Sequence, residues 1–227
     1  MRINRYIALS TGMSRRAADQ ALANGRVHID GAVATLGQDV GEHHKVTLDG
    51  RAITPLVNTV TIMLHKPTGY VCSRNGQGSK TIYSLLPSAL HNLKPVGRLD
   101  KDSSGLLILT TDGKLAHELT HPSRQKAKVY EIALDKPLQP LHRQMIQDFG
   151  VQLPDGPSKF IVERIKEGNE QKWKITMCEG RNRQIRRTFA ALGYTVTKLH
   201  RTHFGSFSLN DLGAGRYSEI KGATGQT

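Results

Sequence analysis

The sequence predicts an α+β protein in two parts: a small N-terminal unit of helices and hairpins, then a larger domain built on a mixed, mainly antiparallel sheet. Three observations predict it. The first residues carry an i, i+4 apolar repeat followed by short alternating runs, which suit helices and then hairpins. Residues 52–59, containing Pro55 and few strong apolar side chains, read as a break. Beyond them, TVTIML, GLLILTT, AKVYEIAL, KFIVERI and KWKITMC are strand candidates that lack the regular βαβ rhythm of a doubly wound sheet. A chain of 227 residues has room for both parts at roughly 150 residues per domain. The expected boundaries are 1–53 for the first domain, 54–59 for the linker, 60–220 for the second domain and 221–227 for a frayed tail.

In chain order, RINRYIALSTGMSRRAADQALANGRVHIDG reads as two short helices and a strand. Ser14 is a suitable N-cap, Ala17 and Ala21, and Ala18 and Leu22, recur at i and i+4, and Gly25 stands where a helix stops. RVHID turns at Asp30-Gly31, and KVTLDGRAI repeats the scheme at Asp49-Gly50. In the second domain TVTIML stops at Lys66-Pro67, and helical stretches are expected over 138–149 and 182–192. The closing KGATGQT reads as tail.

Thirty-two Lys and Arg against 19 Asp and Glu give a formal net charge of +13, which points to a polyanionic partner, nucleic acid first. No apolar run approaches the roughly 20 residues that span a bilayer, and no basic start leads into a secretory stretch, so the expectation is a cytoplasmic protein with no membrane partner. Cys72 and Cys178 form neither a C-x-x-C pair nor an even framework, so packed, reduced thiols are expected. No heptad or long apolar helix suggests a protein partner, and a monomer is expected.

HELTH at 117–121 matches the H-E-x-x-H zinc signature, with His117 and His121 one helical turn apart and Glu118 beside them. Its context is wrong. Pro122 cuts the helix short, and the metzincin continuation falls on Ala127. A chance match is the better account, His121 completing the turn before Pro122. No metal is expected.

The chemistry concentrates elsewhere. VGRLDKDSSGLLILTTDG, residues 96–113, places Gly97, a charged turn and Asp100 just before a strongly apolar strand. On spacing alone Asp100 reads first as a turn aspartate and second as a functional carboxylate; Asp102 is the better pure turn residue. In EGRNRQIRRTFAALG, residues 179–193, Ile185, Phe189 and Leu192 share a core-facing stripe. Arg183 and Arg187 then face solvent or phosphate. Arg186 lies at the border, equally suited to a partly buried carboxylate or to a phosphate.

HKPTGYVCS, GRLDKDSSGLLILTTDG, KVY and EGRNRQIRR, in this order, resemble the four motifs of the RsuA-type ribosomal RNA pseudouridine synthases, and the likeness extends over essentially the whole chain. The N-terminal unit is similar to the S4-like RNA-binding module that often precedes this catalytic domain. Even HELTH fits, since a helix ending in L-T-H-P commonly follows the catalytic strand. The resemblance implies that Asp100 is the catalytic aspartate, that Tyr130 packs on the target uracil, that Arg186 pairs with Asp100, that Leu199 borders the base pocket, and that Arg98 holds flanking nucleotides. Apart from the resemblance, the clustered Arg2, Arg5, Arg15 and Arg16 of the first unit and Arg181, Arg183 and Arg187 are the expected RNA contacts, mostly to phosphates. The expected partner is ribosomal RNA or a pre-ribosomal particle, with EGRNRQIRR slightly closer to the large-subunit branch. Two positions depart from the pattern: Ala127, where glutamate is frequent, and Thr188, where methionine is usual.

The implied reaction breaks the N1–C1′ bond of uridine, turns the uracil and rejoins it through C5. Its atoms balance, so no cofactor is expected. One carboxylate serves, by attacking C1′ or by assisting loss of the base. The rival expectation is an inactive RNA-binding assembly factor.

Overall fold

The computed structural model describes residues 1–55 and 59–220. Part of the expected linker and all of the expected tail lie outside the described residues. The chain divides into two compact units, Met1–Thr59 and Val60–Thr227.

In the first unit, α1 (Ile3–Thr11) and α2 (Arg15–Ala23) precede β1 (Val27–Ile29), β2 (Ala32–Val33), β3 (Val46–Leu48) and β4 (Arg51–Ala52). The Ser14 hydroxyl accepts from the Ala17 amide at 3.1 Å and starts α2. Both Asp-Gly pairs have positive φ at each residue, the backbone of a tight two-residue hairpin. The strands pair antiparallel in the order β2-β1-β3-β4. Ile3, Ile7, Ala18, Ala21 and Leu22 from the helices pack on Val27, Ile29, Val46 and Leu48 from the sheet.

The second unit contains β5 (Thr61–Lys66), β6 (Lys94–Val96), β7 (Ser104–Thr110), α3 (Gly113–Thr120), β8 (Lys128–Leu134), α4 (Pro140–Gln144), β9 (Val151–Leu153) and β10 (Gly156–Ser158). There follow β11 (Ile161–Arg164), β12 (Lys172–Met177), α5 (Gln184–Ala191), β13 (Val196–Phe204), β14 (Phe207–Ser208) and β15 (Tyr217–Glu219). The main sheet runs β11-β12-β8-β13-β7-β5-β15, with β14 added to β13 and β6 to β7. Its pairings are antiparallel except that of β7 with β13, where Ser104 faces His200 and Gly105 faces Arg201. β7 reads as a continuous apolar run because both faces are covered: Leu107 and Leu109 join one core, Leu106 and Ile108 the other.

The helix expected over 138–149 is broken up: α4 gives way to a π-helical turn over Met145–Phe149. Cys72 is half-buried but Cys178 is exposed, which corrects the expectation of two packed thiols. Among the described residues, no helix is long and apolar enough to cross a membrane.

Candidate active site

Asp100 sits in the loop between β6 and β7, and the segment that follows β5 grips that loop along its length. The Lys66 side chain is fully buried. Its ammonium donates to the carbonyl oxygens of Pro67, Asp100 and Ser103 at 3.1, 2.9 and 2.7 Å. The Gly69 amide donates to Lys101 O at 2.7 Å. The Cys72 Sγ lies 3.3 Å from Leu99 O and 3.4 Å from Leu99 N. Burial pushes the Lys66 ammonium below its ordinary range, and the negative charges of Asp100 and Asp102 act against that shift. Three carbonyl acceptors keep so buried a cation satisfied. The K-P-x-G stretch is therefore a cradle for the loop, whereas the sequence marked it only as a strand end.

From the other side the loop meets the start of α5. Arg186, whose side chain is 13 % exposed, donates to Val196 O at 2.6 Å and to Asp102 O at 3.0 Å, and its Nε lies 3.3 Å from Asp102 Oδ2. Arg183 Nη1 lies 3.4 Å from Asp100 Oδ2, and its two terminal nitrogens meet the two Asp102 oxygens at 3.2 Å each. The pairing of Arg186 with Asp100 expected from the family motif is thus replaced: Arg183 faces Asp100, and Arg186 holds Asp102 and the backbone. The helical wheel misplaced Arg183 because that residue is not helical. It is the N-cap of α5 in the left-handed region, φ 47°, which turns its side chain across the loop. Nor is Asp102 a simple turn residue. Burial alone would push its carboxyl up, but hydrogen bonds from Arg183 and the charges of Arg186 and Arg183 outweigh that and hold it below its ordinary value.

A cavity of about 950 Å³ opens beside the loop. Asp100, Arg98, Tyr130, Leu199 and Arg183 all line it. Tyr130 and Leu199 are buried on adjacent strands, with Tyr130 opposite Arg201 across β8 and β13. Arg201 is buried, donates through Nε to Leu106 O at 2.8 Å and stacks over the Phe204 ring. Lys128 reaches the same cavity, its ammonium pushed down by burial and by the Arg201 charge. Neither cation was singled out in the sequence, where Lys128 was only part of a strand and of the KVY motif.

The remaining arginines divide. Arg181 and Arg187 both bind Asp155, at 3.1 and 2.7 Å, and Arg181 also donates to the carbonyls of Asp155, Gly156 and Pro157. They fasten the β9–β10 hairpin to α5, where the sequence had offered them to RNA. In the first unit, Arg2 binds Gly37 O and Asp39, Arg15 binds Asn4, and Arg5 and Arg16 lie on α1 and α2. Thr188, one of the two departures, is fully buried and donates to Ser158 Oγ at 2.7 Å, so the hydroxyl is used in packing α5. In HELTH, Glu118 pairs with Lys126 at 2.8 Å and His121 Nδ1 lies 2.7 Å from Ser123 Oγ. Among the described residues no group of three or more His, Cys, Asp or Glu is arranged to hold a metal.

A carboxylate on a gripped loop, with arginines behind it, thus shares its cavity with the Tyr130 ring. Residues 60–191 match the model of the family described as RNA pseudouridylate synthase. The chain belongs to that family. A Yersinia pestis protein named ribosomal large subunit pseudouridine synthase B is 34% identical over 235 residues, covering 96% of this chain and 72% of that one. Another from the same organism, ribosomal small subunit pseudouridine synthase A, is 34% identical over 223 residues, covering 97% and 94%. Of a Xylella fastidiosa synthase B the chain spans about half, 48%. A crystal structure of a pseudouridylate synthase superposes with a TM-score of 0.69 at 28% identity, covering 97% of this chain and 96% of that one. The RsuA-type resemblance carried by the motifs and the pseudouridine synthase fold, with its mixed, mainly antiparallel sheet, both stand on these matches.

Proposed function

We propose that this pseudouridine synthase isomerises a specific uridine of ribosomal RNA, with Asp100 as the catalytic residue. The observation that carries the assignment is the placement of the Asp100 carboxylate on the wall of a cavity shared with Tyr130 and Leu199. A uridine turned out of its helix enters with its sugar at Asp100 and its base between Tyr130 and Leu199. Asp100 acts at C1′ as the N1–C1′ bond breaks. Tyr130 supplies a flat face on which the freed uracil turns before C5 meets C1′. Arg186 serves through Asp102 and the loop backbone, and Arg98, at the cavity wall, holds neighbouring nucleotides. Flipping costs a few kcal/mol in a duplex, and phosphate contacts offset it.

The first unit, with exposed Arg15 and Arg16 on α2 and exposed Arg2 at the start of α1, is the S4-like RNA-binding domain of this reading, spanning 1–53. Arg2, Arg5, Arg15 and Arg16 are its phosphate contacts. The catalytic domain occupies 60–220, and the protein works as a cytoplasmic monomer on ribosomal RNA or a pre-ribosomal particle. Large-subunit RNA is favoured by the letters of EGRNRQIRR.

The test incubates the protein and its Asp100→Asn variant with unmodified large- and small-subunit ribosomal RNA transcripts, then maps pseudouridine by carbodiimide labelling and primer extension. A stop made only by the unaltered protein identifies the nucleotide and the carboxylate together. If the variant makes the same stop, Asp100 is not the catalytic group.

A further inference from the structure

We propose that Arg183 is a removable cap on the catalytic carboxylate, which leaves Asp100 for a phosphate of the bound RNA; this rests on the reading of Asp100 as catalytic. The two arginines behind the loop are tethered differently. Arg186 is fixed by backbone carbonyls of Val196 and Asp102 and is nearly buried. Every acceptor described for the Arg183 guanidinium is a carboxylate oxygen, and its side chain is 44 % exposed. Exposed pairs of this kind contribute at most about 1 kcal/mol. Arg183 can therefore change partner at little cost.

Its place makes the exchange consequential. The Arg183 guanidinium occupies Asp100 Oδ2 at the cavity wall, where a carboxylate oxygen must be free to meet C1′. The longer contact is the one to Asp100, 3.4 Å, and the shorter pair is to Asp102, 3.2 Å. Asp102 thus holds the guanidinium beside Asp100 until RNA arrives. A phosphate entering with the target nucleotide offers Arg183 a bidentate anion and releases counterions from the RNA as it is neutralised. RNA entry then uncovers the carboxylate, and the left-handed N-cap backbone, which points the side chain across the loop, keeps the guanidinium within reach of both anions.

The experiment compares the full-length protein with Arg183→Asn, chosen because asparagine tolerates the left-handed region and caps helices. A thermal melt checks that it folds. In single-turnover reactions the enzyme concentration at half-maximal rate should rise about tenfold. The slope of log affinity against log salt should fall by about one. The saturating rate should not fall, because bound RNA has already drawn the cap away in the unaltered protein. A saturating rate that falls would overturn the proposal and make Arg183 a fixed orienting partner of Asp100.

A second arm needs no turnover. The shortest ribosomal RNA stem–loop that the protein binds is made with one neutral methylphosphonate linkage at a time. The unaltered protein should lose about tenfold in affinity at one linkage where Arg183→Asn loses nothing. Equal sensitivity of both proteins at every linkage would overturn it. Absence of pseudouridine with the unaltered protein strikes instead at the functional reading, and this binding arm still decides whether Arg183 takes up a phosphate.

Discussion

The Lys66 ammonium lies 2.9 Å from the carbonyl oxygen of Asp100, so the residue proposed to do chemistry is held by its backbone, independently of the Arg183 contact to its carboxylate. Lys66→Met keeps the volume but leaves the carbonyls of Asp100 and Ser103 in need of another donor. A bond to a charged group contributes about 1.5–3 kcal/mol, and relief of the buried charge offsets part of the loss. The variant should unfold about 2 kcal/mol more easily in urea and turn over about a hundredfold more slowly at saturation. Unaltered turnover would show that the loop holds its shape without the ammonium.

Gly105 has φ 109°, and a Cβ there would overlap the backbone of Arg201 on the neighbouring strand. Gly105→Ala should destabilise the catalytic domain by 3 kcal/mol or more, through the strained backbone and the parting of β7 from β13, on the order seen for such strain plus overpacking. Denaturant unfolding measures it. A loss under about 1 kcal/mol would mean that the two strands separate easily.

The Asp102 carboxyl is held below its ordinary value, so its bond to α5 is present above the unfolded value, about pH 4, and is lost as pH falls through the lowered folded value. Stability should therefore drop on acidification in that window. Asp102→Asn should flatten that part of the curve, and thermal melts between pH 2 and pH 6 would show whether it does.

Charge reversal at Arg15 and Arg16 together should raise the RNA concentration at half-saturation and reduce the salt dependence of binding, with a far smaller effect on the saturating rate. Filter binding across a salt series tests this. Unchanged affinity would remove α2 from the RNA-binding surface.

How far the sequence reached depended on whether a signal was local. Ser14, the two Asp-Gly turns and the apolar runs of β5, β7, β8 and β12 act through their own neighbours, and each appears where its letters placed it. β13 was half hidden, since HRTH puts charged and polar side chains into a central strand, where Arg201 is satisfied by Leu106 O and by stacking on Phe204. The Asp100 loop was found, but the Arg183 contact to it was not. A helical wheel treats Arg183 as helical and turned to solvent or phosphate, and one left-handed residue before α5 is enough to bring it to Asp100. Likewise Arg181 and Arg187 looked free because Asp155 lies 26 and 32 residues away.

The parallel pairing of β7 with β13 also sets an order of assembly. Ser104 and His200 are partners across 96 residues, and β13 lies between β8 and β7 in the middle of the sheet although it is among the last strands in the chain. During synthesis the first unit, closed by short hairpins, can fold as soon as it emerges. The sheet cannot close, and the cavity has no floor, until residue 204 is clear of the ribosome, because contacts so distant in sequence form late. Truncation between the end of α5 and β13 leaves every motif through EGRNRQIRR intact and should still yield no active centre.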